Sequence, residues 1–121
     1  MSKYKSDTLF DSFKFAKRGL FLAIKSQRNF KIDLIFAFLA VVGAIFYKFS
    51  AIELAVLILT IGLMLFAELI NTVLEFILDA YFGNKFSNLA GMAKDISAAA
   101  VLITASIAFV IGVILFWHKV F

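Results

Sequence analysis

The sequence predicts an all-α membrane protein, with three transmembrane helices behind an N-terminal amphipathic helix that lies on the membrane surface. Of the 121 residues, 64% are hydrophobic, whereas globular domains average roughly 45–50%. The chain contains no proline, which suits uninterrupted helices. Eight of its 12 lysines and arginines lie before residue 32, just ahead of the first apolar run. Basic residues there meet anionic lipid headgroups, so the charge favours a membrane surface over nucleic acid.

Residues 7–29 are predicted to form the surface helix. Its basic and apolar side chains fall on roughly opposite faces, a pattern typical of a helix in the plane of the interface. The alternative is a helix packed on other protein, with its basic face in solvent. The basic residues are Lys14, Lys17, Arg18, Lys25 and Arg28, and the apolar ones are Leu9, Phe13, Ala16, Leu20 and Ile24.

Three apolar runs predict the membrane spans, at residues 30–49, 52–79 and 96–117. Each is long enough, because ~20 helical residues cover the ~30 Å core of a bilayer. Residues 1–121 are predicted to form a single domain, with a turn at Gly83-Asn84 between the last two spans. The positive-inside rule places the N-terminus and residues 68–95 in the cytoplasm, and the turn at residues 48–53 outside.

Four polar residues on the second span are expected to carry the chemistry. Glu68, Asn71, Glu75 and Asp79 follow one another at spacings of three, four and four, which places them on one face of a helix. Ionisable groups at membrane depth are costly, so such a row is a functional hypothesis by default. The alternative is a set of inter-helix hydrogen bonds that holds an oligomer together.

The positions of these residues indicate their roles. Glu68 follows a long apolar stretch, and a carboxylate at the boundary of water and lipid is suited to take a proton from a hydroxyl. Glu75 lies closer to the cytoplasm and is a candidate Mg²⁺ ligand, and Asn71 can orient either carboxylate or a phosphate. Lys94 and Asp95 are expected as a cation–anion pair just before the third helix, where Lys94 contacts polyphosphate and Asp95 holds it or caps the helix. Together these features indicate phosphoryl transfer.

No GxxxxGK[ST] motif is present in the sequence, so any nucleotide site must be built from helix faces. Instead, the motifs ELINTVLE at residues 68–75 and AKDI at residues 93–96 resemble the signature of the small bacterial integral-membrane diacylglycerol kinase and undecaprenol kinase family. The resemblance covers essentially the whole chain. It implies a homotrimer in the bacterial cytoplasmic membrane, with active sites shared between neighbours, that phosphorylates a lipid hydroxyl with MgATP.

The resemblance also implies roles for single residues. Glu68 matches the family's general base and Glu75 a metal-binding glutamate, while Asn71, Lys94 and Asp95 match polar groups of the nucleotide site. The residues around Arg28-Asn29-Phe30 and the turn from Ser50 to Glu53 are more similar to the undecaprenol kinase branch than to the diacylglycerol kinase branch.

The chain departs from the family pattern at Gln27, where the family usually has a glutamate that is its second acidic metal ligand. An amide oxygen can coordinate Mg²⁺ but brings no charge, so the affinity for the metal should fall. Three interpretations follow: a weaker but active kinase, an engineered inactive form, or a natural homologue with lost or changed chemistry. A catalytically silent membrane scaffold belongs to the last of these.

Overall fold

The computed structural model describes residues 8–83, 85 and 87–121. This part of the chain forms four α-helices and no strand: α1 (Leu9–Ser26), α2 (Arg28–Phe46), α3 (Ala51–Phe82) and α4 (Asn88–Val120). The last three helices are long and apolar enough to cross a membrane. An all-helical fold with three candidate spans is therefore confirmed.

Short polar side chains define where three of the helices begin. Thr8 and Ser87 each accept a hydrogen bond from a backbone N–H of the first turn, in α1 at 3.1 Å and in α4 at 3.3 Å. At the start of α3, Ser50 and Glu53 form a reciprocal capping box, with bonds of 2.8 and 3.2 Å. Each cap satisfies a backbone donor that has no partner within its own helix.

The helix boundaries differ from the predicted ones by a few residues, and two of the differences matter for the site. The backbone leaves the helical conformation at Gln27 (φ −117°, ψ 111°), so α2 begins at Arg28. Helix α4 begins at Asn88, and the segment before residue 96 is continuous with the third span. The prediction that Asp95 caps this helix is wrong, because Ser87 provides the cap. Gly83 ends α3 with a positive φ of 60°, and Asn84 of the predicted turn lies outside the described residues.

Helix α3 is the central element. It packs along α4 over most of its length and also against α2, while α1 packs on α2. Few side chains of the described residues are buried: the apolar ones are Ala23, Phe30, Ala44 and Leu57, and the polar ones are Glu68 and Thr72. Most apolar side chains are exposed, as expected where helices face lipid or further helices rather than water.

At the end of the molecule away from the polar row, α4 is tied to the start of α3. The Lys119 ammonium lies 3.0 Å from the Glu53 carboxylate and 3.5 Å from the backbone oxygen of Lys48. Because these contacts fix one end of the two antiparallel helices, they also fix which residues of α3 and α4 face one another at the other end.

Candidate functional site

Glu68 is a buried carboxylate on a largely apolar helix. Only 4% of its surface is exposed. Thr72, one turn later, is equally buried and donates its hydroxyl to the backbone oxygen of Glu68 at 2.9 Å. Placing an ionisable group in apolar surroundings costs free energy. Burial of Glu68 therefore makes this end of the polar row a candidate functional site.

Asn71 connects α3 to α4. Its side-chain oxygen accepts a hydrogen bond of 2.7 Å from the Ser97 hydroxyl, and its amide nitrogen donates to a carboxylate oxygen of Glu75 at 3.4 Å. The Ser97 hydroxyl determines the orientation of the Asn71 amide, since only the amide oxygen can accept its hydrogen bond. The geometry thus brings Asn71 and Glu75 together in one chain of hydrogen bonds.

The exposed end of the row carries an ion pair. Lys94 of α4 lies 2.6 Å from Asp79 of α3, with the two side chains 42% and 62% exposed. The prediction that Lys94 pairs with Asp95 is wrong, because successive residues of a helix point about 100° apart. Asp95 is exposed. Glu75 adds a weaker electrostatic attraction to Lys94, without a direct contact.

Two residues of the site, Asp33 and Ser97, were not predicted from the sequence. Asp33 of α2 is half-buried, and its negative charge acts on Glu68, as does that of Glu75. An ionisable residue inside the predicted span at 30–49 was the signal that could have identified Asp33. No feature of the sequence distinguishes Ser97 from the other small residues of α4.

Gln27 is half-buried at the junction of α1 and α2. Its side chain makes no capping hydrogen bond to α2. Within the described residues, no group of three or more His, Cys, Asp or Glu side chains could hold a metal by itself. Magnesium needs fewer protein ligands, because it commonly takes one or two carboxylates together with substrate phosphates. The oxygen donors of Glu75 and Gln27 fit that chemistry.

The polar row can therefore supply different chemistry at its two ends. The buried Glu68 carboxylate lies at one end of the row on α3, and at the other end Asp79 of α3 is paired with the Lys94 cation of α4. Glu68 and Asp79 are eleven residues apart, so the row extends over about 16 Å. This length separates the buried carboxylate of Glu68 from the ion pair of Asp79 and Lys94.

Comparison with known proteins gives one family. Residues 14–116 match the family described as prokaryotic diacylglycerol kinase. A diacylglycerol kinase of Synechocystis sp. is 39% identical over 101 residues, which are 84% of this chain but only 58% of that protein. An undecaprenol kinase of Bacillus subtilis is 34% identical over 110 residues, 91% of this chain and 89% of that protein. A diacylglycerol kinase of Escherichia coli is 33% identical over 100 residues, with coverage of 83% and 81%.

Proposed function

Because this chain belongs to the prokaryotic diacylglycerol kinase family, whose relatives above are named as lipid kinases, we propose that it transfers the γ-phosphoryl group of MgATP to the hydroxyl of a membrane lipid. The acceptor is diacylglycerol or undecaprenol, the two lipids in the relatives' names. The alternative of a silent scaffold is not favoured, since the similar proteins are kinases. One observation carries the proposal: a buried Glu68 at the head of a polar row that ends beside Lys94.

In the proposed reaction, Glu68 is the general base. The lipid hydroxyl oxygen forms a bond to the γ-phosphorus, the bond from phosphorus to the bridging oxygen of ATP breaks, and ADP leaves with that electron pair. Glu68 takes the proton that the hydroxyl loses. Its burial on a largely apolar helix supports this role, because a lipid hydroxyl would reach the base from the membrane and not from water.

The remaining polar residues bind the nucleotide. Glu75, with Gln27 as a neutral second ligand, would hold Mg²⁺, which when bound neutralises the charge of the phosphates. Asn71 orients Glu75 through their hydrogen bond, and Lys94 and Asp95 contact the nucleotide from α4. Most of the catalysis in such a site comes from positioning and charge neutralisation rather than from covalent chemistry.

We further propose that the row faces the cytoplasm, where ATP is available, and that three copies of the chain assemble with active sites shared between neighbours. The surface of α4 supports the assembly. None of its most apolar stretch is buried within one chain, and it carries small residues that allow helices to approach closely. These include Ala98, Ala99 and Ala100, all exposed.

The central test is the variant Glu68→Gln, which keeps the shape of the side chain but cannot accept the proton. The purified protein in vesicles is given radiolabelled ATP with diacylglycerol or undecaprenol as separate acceptors. Transfer to the preferred acceptor should fall by roughly 100-fold or more, the contribution expected of a general base. The size of the oligomer should not change.

Glu53→Gln is the matched control, because it makes the same substitution at the other end of α3. Glutamine also forms a capping box with serine, although the ion pair with Lys119 is lost. This variant should retain transfer. Retained transfer in Glu68→Gln would show that Glu68 is not the base. Loss of the oligomer in Glu68→Gln would instead indicate that the polar row holds the assembly together.

A further inference from the structure

A large apolar groove lies between α2, α3 and α4. Its volume is about 670 Å³, within the ~300–1,000 Å³ of typical ligand sites. Asp33 and Thr60 are its polar lining residues, and the others are apolar. The Thr60 hydroxyl is bonded to the backbone of its own helix at 2.7 Å, so the walls offer little to a polar ligand. Such a groove at membrane depth is suited to hydrocarbon.

One end of the groove adjoins the proposed base. On α3 the lining extends from Leu57 to Met64, and Glu68 follows Met64 by four residues, about one helical turn. On α2 the lining includes Asp33, whose charge acts on Glu68. A ligand in the groove therefore has its polar end next to Glu68 and its apolar end towards the opposite side of the membrane.

Phe116 of α4 closes the far end. A Cβ atom added to Gly43 would come within 3.2 Å of the Phe116 ring, so α2 approaches this ring closely. The Phe49 ring packs against it from the turn that follows α2, with 4.9 Å between ring centroids. Phe116 is thus held from two sides at the point where the groove ends.

The dimensions of the groove match one lipid tail. On α4 the lining extends from Ala105 to Phe116, which at 1.5 Å per residue is about 16 Å. That is about half of the ~30 Å hydrocarbon core, the depth of a single leaflet. A lipid with its hydroxyl at Glu68 would place its tail along the groove and reach Phe116 near the end of that tail.

We propose that this groove holds a hydrocarbon tail of the acceptor lipid, and that Phe116 limits the length of tail it accommodates. The inference rests on the proposed lipid kinase activity. A tail longer than the groove must leave it and extend into the bilayer. Such a tail makes fewer contacts with the groove walls than a tail that fits. Phe116 is in this way a specificity-determining residue that lies far from the reacting atoms.

The test compares diacylglycerols of increasing tail length as acceptors for Phe116→Ala and the unmodified protein. Opening the end of the groove should raise kcat/KM for long tails relative to short ones, by up to about twofold for each additional methylene that packs against the protein, because the tail leaves lipid rather than water and gains only dispersion contacts. Phe46→Ala removes an exposed ring at the same end of α2, away from the groove, and should leave the length profile unchanged. Phe116→Leu gives a smaller shift in the same direction and guards against misfolding of the alanine variant.

A second measurement separates this inference from the proposed activity. A diacylglycerol with a photoreactive group at the end of its tail should crosslink near Phe116 and Val113, in Glu68→Gln as well as in the active protein. An unchanged length profile in both Phe116 variants, or crosslinks on the outer faces of the helices, would overturn the inference even if the kinase is active. Crosslinking between two copies of the chain through the groove would do the same, because the occupant would be protein. If the unmodified protein phosphorylates neither lipid but still crosslinks at Phe116, the proposed activity is refuted and the groove remains a lipid site.

Discussion

Gln27 joins α1 to α2 with an extended backbone and a half-buried side chain. If it contributes the second protein oxygen to the metal, the site lacks one of the two negative charges that the family pattern supplies. The weakness of such a site should be visible in its dependence on Mg²⁺.

Gln27→Glu should therefore reduce the Mg²⁺ concentration needed for half-maximal activity several-fold, because a carboxylate adds charge to the metal site. The measurement is a Mg²⁺ titration of lipid phosphorylation at saturating ATP. Ser26→Glu is the control, since it adds the same charge one residue earlier at an exposed position. Equal effects of the two variants would indicate general surface charge, and no effect of Gln27→Glu would show that residue 27 does not ligate the metal.

The ion pair of Lys94 and Asp79 has a consequence for nucleotide binding. The charged atoms of Lys94 and Asp79 are 2.6 Å apart. If Lys94 binds the nucleotide as proposed, Asp79 and an incoming phosphate would compete for the same ammonium group. Asp79→Asn keeps an acceptor oxygen but removes the charge. The KM for ATP should then fall with little change in kcat, by no more than about fivefold, because exposed pairs contribute little.

Asp11→Asn serves as the control for Asp79→Asn, since Asp11 is an acidic residue on α1, away from the polar row. Steady-state kinetics at varied ATP separate the two parameters. A higher KM in Asp79→Asn would mean that Asp79 directs Lys94 towards the phosphate instead of competing with it. The pairing would then be part of the binding site and not a resting state.

At the scale of the helices, α3 and α4 depend on contacts at both of their ends. Lys119 and Glu53 form the contact far from the polar row, with side chains 26% and 20% exposed. Lys119→Gln should lower the midpoint of thermal unfolding in detergent by a few degrees, and the difference should shrink at high salt. In a Glu53→Gln background the same substitution should have little effect, because its partner has already been removed.

His118→Gln is the control for Lys119→Gln, because it alters the exposed neighbouring residue without touching the ion pair. The initial rate of lipid phosphorylation at low temperature should be unchanged in both, since the pair lies away from the proposed site. Equal midpoints for Lys119→Gln and the unmodified protein would show that the ion pair does not stabilise the packing of α3 on α4.

The helices also show what local patterns can and cannot predict. The apolar runs predicted three spans because hydrocarbon thickness sets helix length, and the spacing from Glu68 to Asp79 predicted their common face. The break between α1 and α2 was predicted a few residues too late, because neither proline nor glycine marks Gln27. The residues before 96 were predicted as a cap or a short helical entry and not as part of the third span, because the Ser87 cap lies well before the apolar run. The partner of Lys94 could not be predicted either, since it depends on how α3 and α4 align in space.

At the scale of the whole molecule, the basic residues determine the expected orientation. Lysines and arginines cluster before α2, and Lys85 and Lys94 lie at the end of the molecule where α3 ends and α4 begins. The positive-inside rule places these regions in the cytoplasm. The start of α3 and the end of α4, joined by Lys119 and Glu53, are then on the other side. The proposed reaction requires this orientation, because ATP must reach the polar row.

Single cysteines can test the orientation cleanly, because the chain contains none of its own. Lys85→Cys and Phe121→Cys are suitable positions, since both residues are exposed and lie outside the helices. In intact cells, a membrane-impermeant maleimide should label Phe121→Cys, whereas Lys85→Cys should react only after the membrane is permeabilised. Retained lipid phosphorylation in both variants is the control for folding. Labelling of Lys85→Cys from outside would place Glu68 and Lys94 on the side without ATP, and the proposed mechanism would then have no phosphoryl donor.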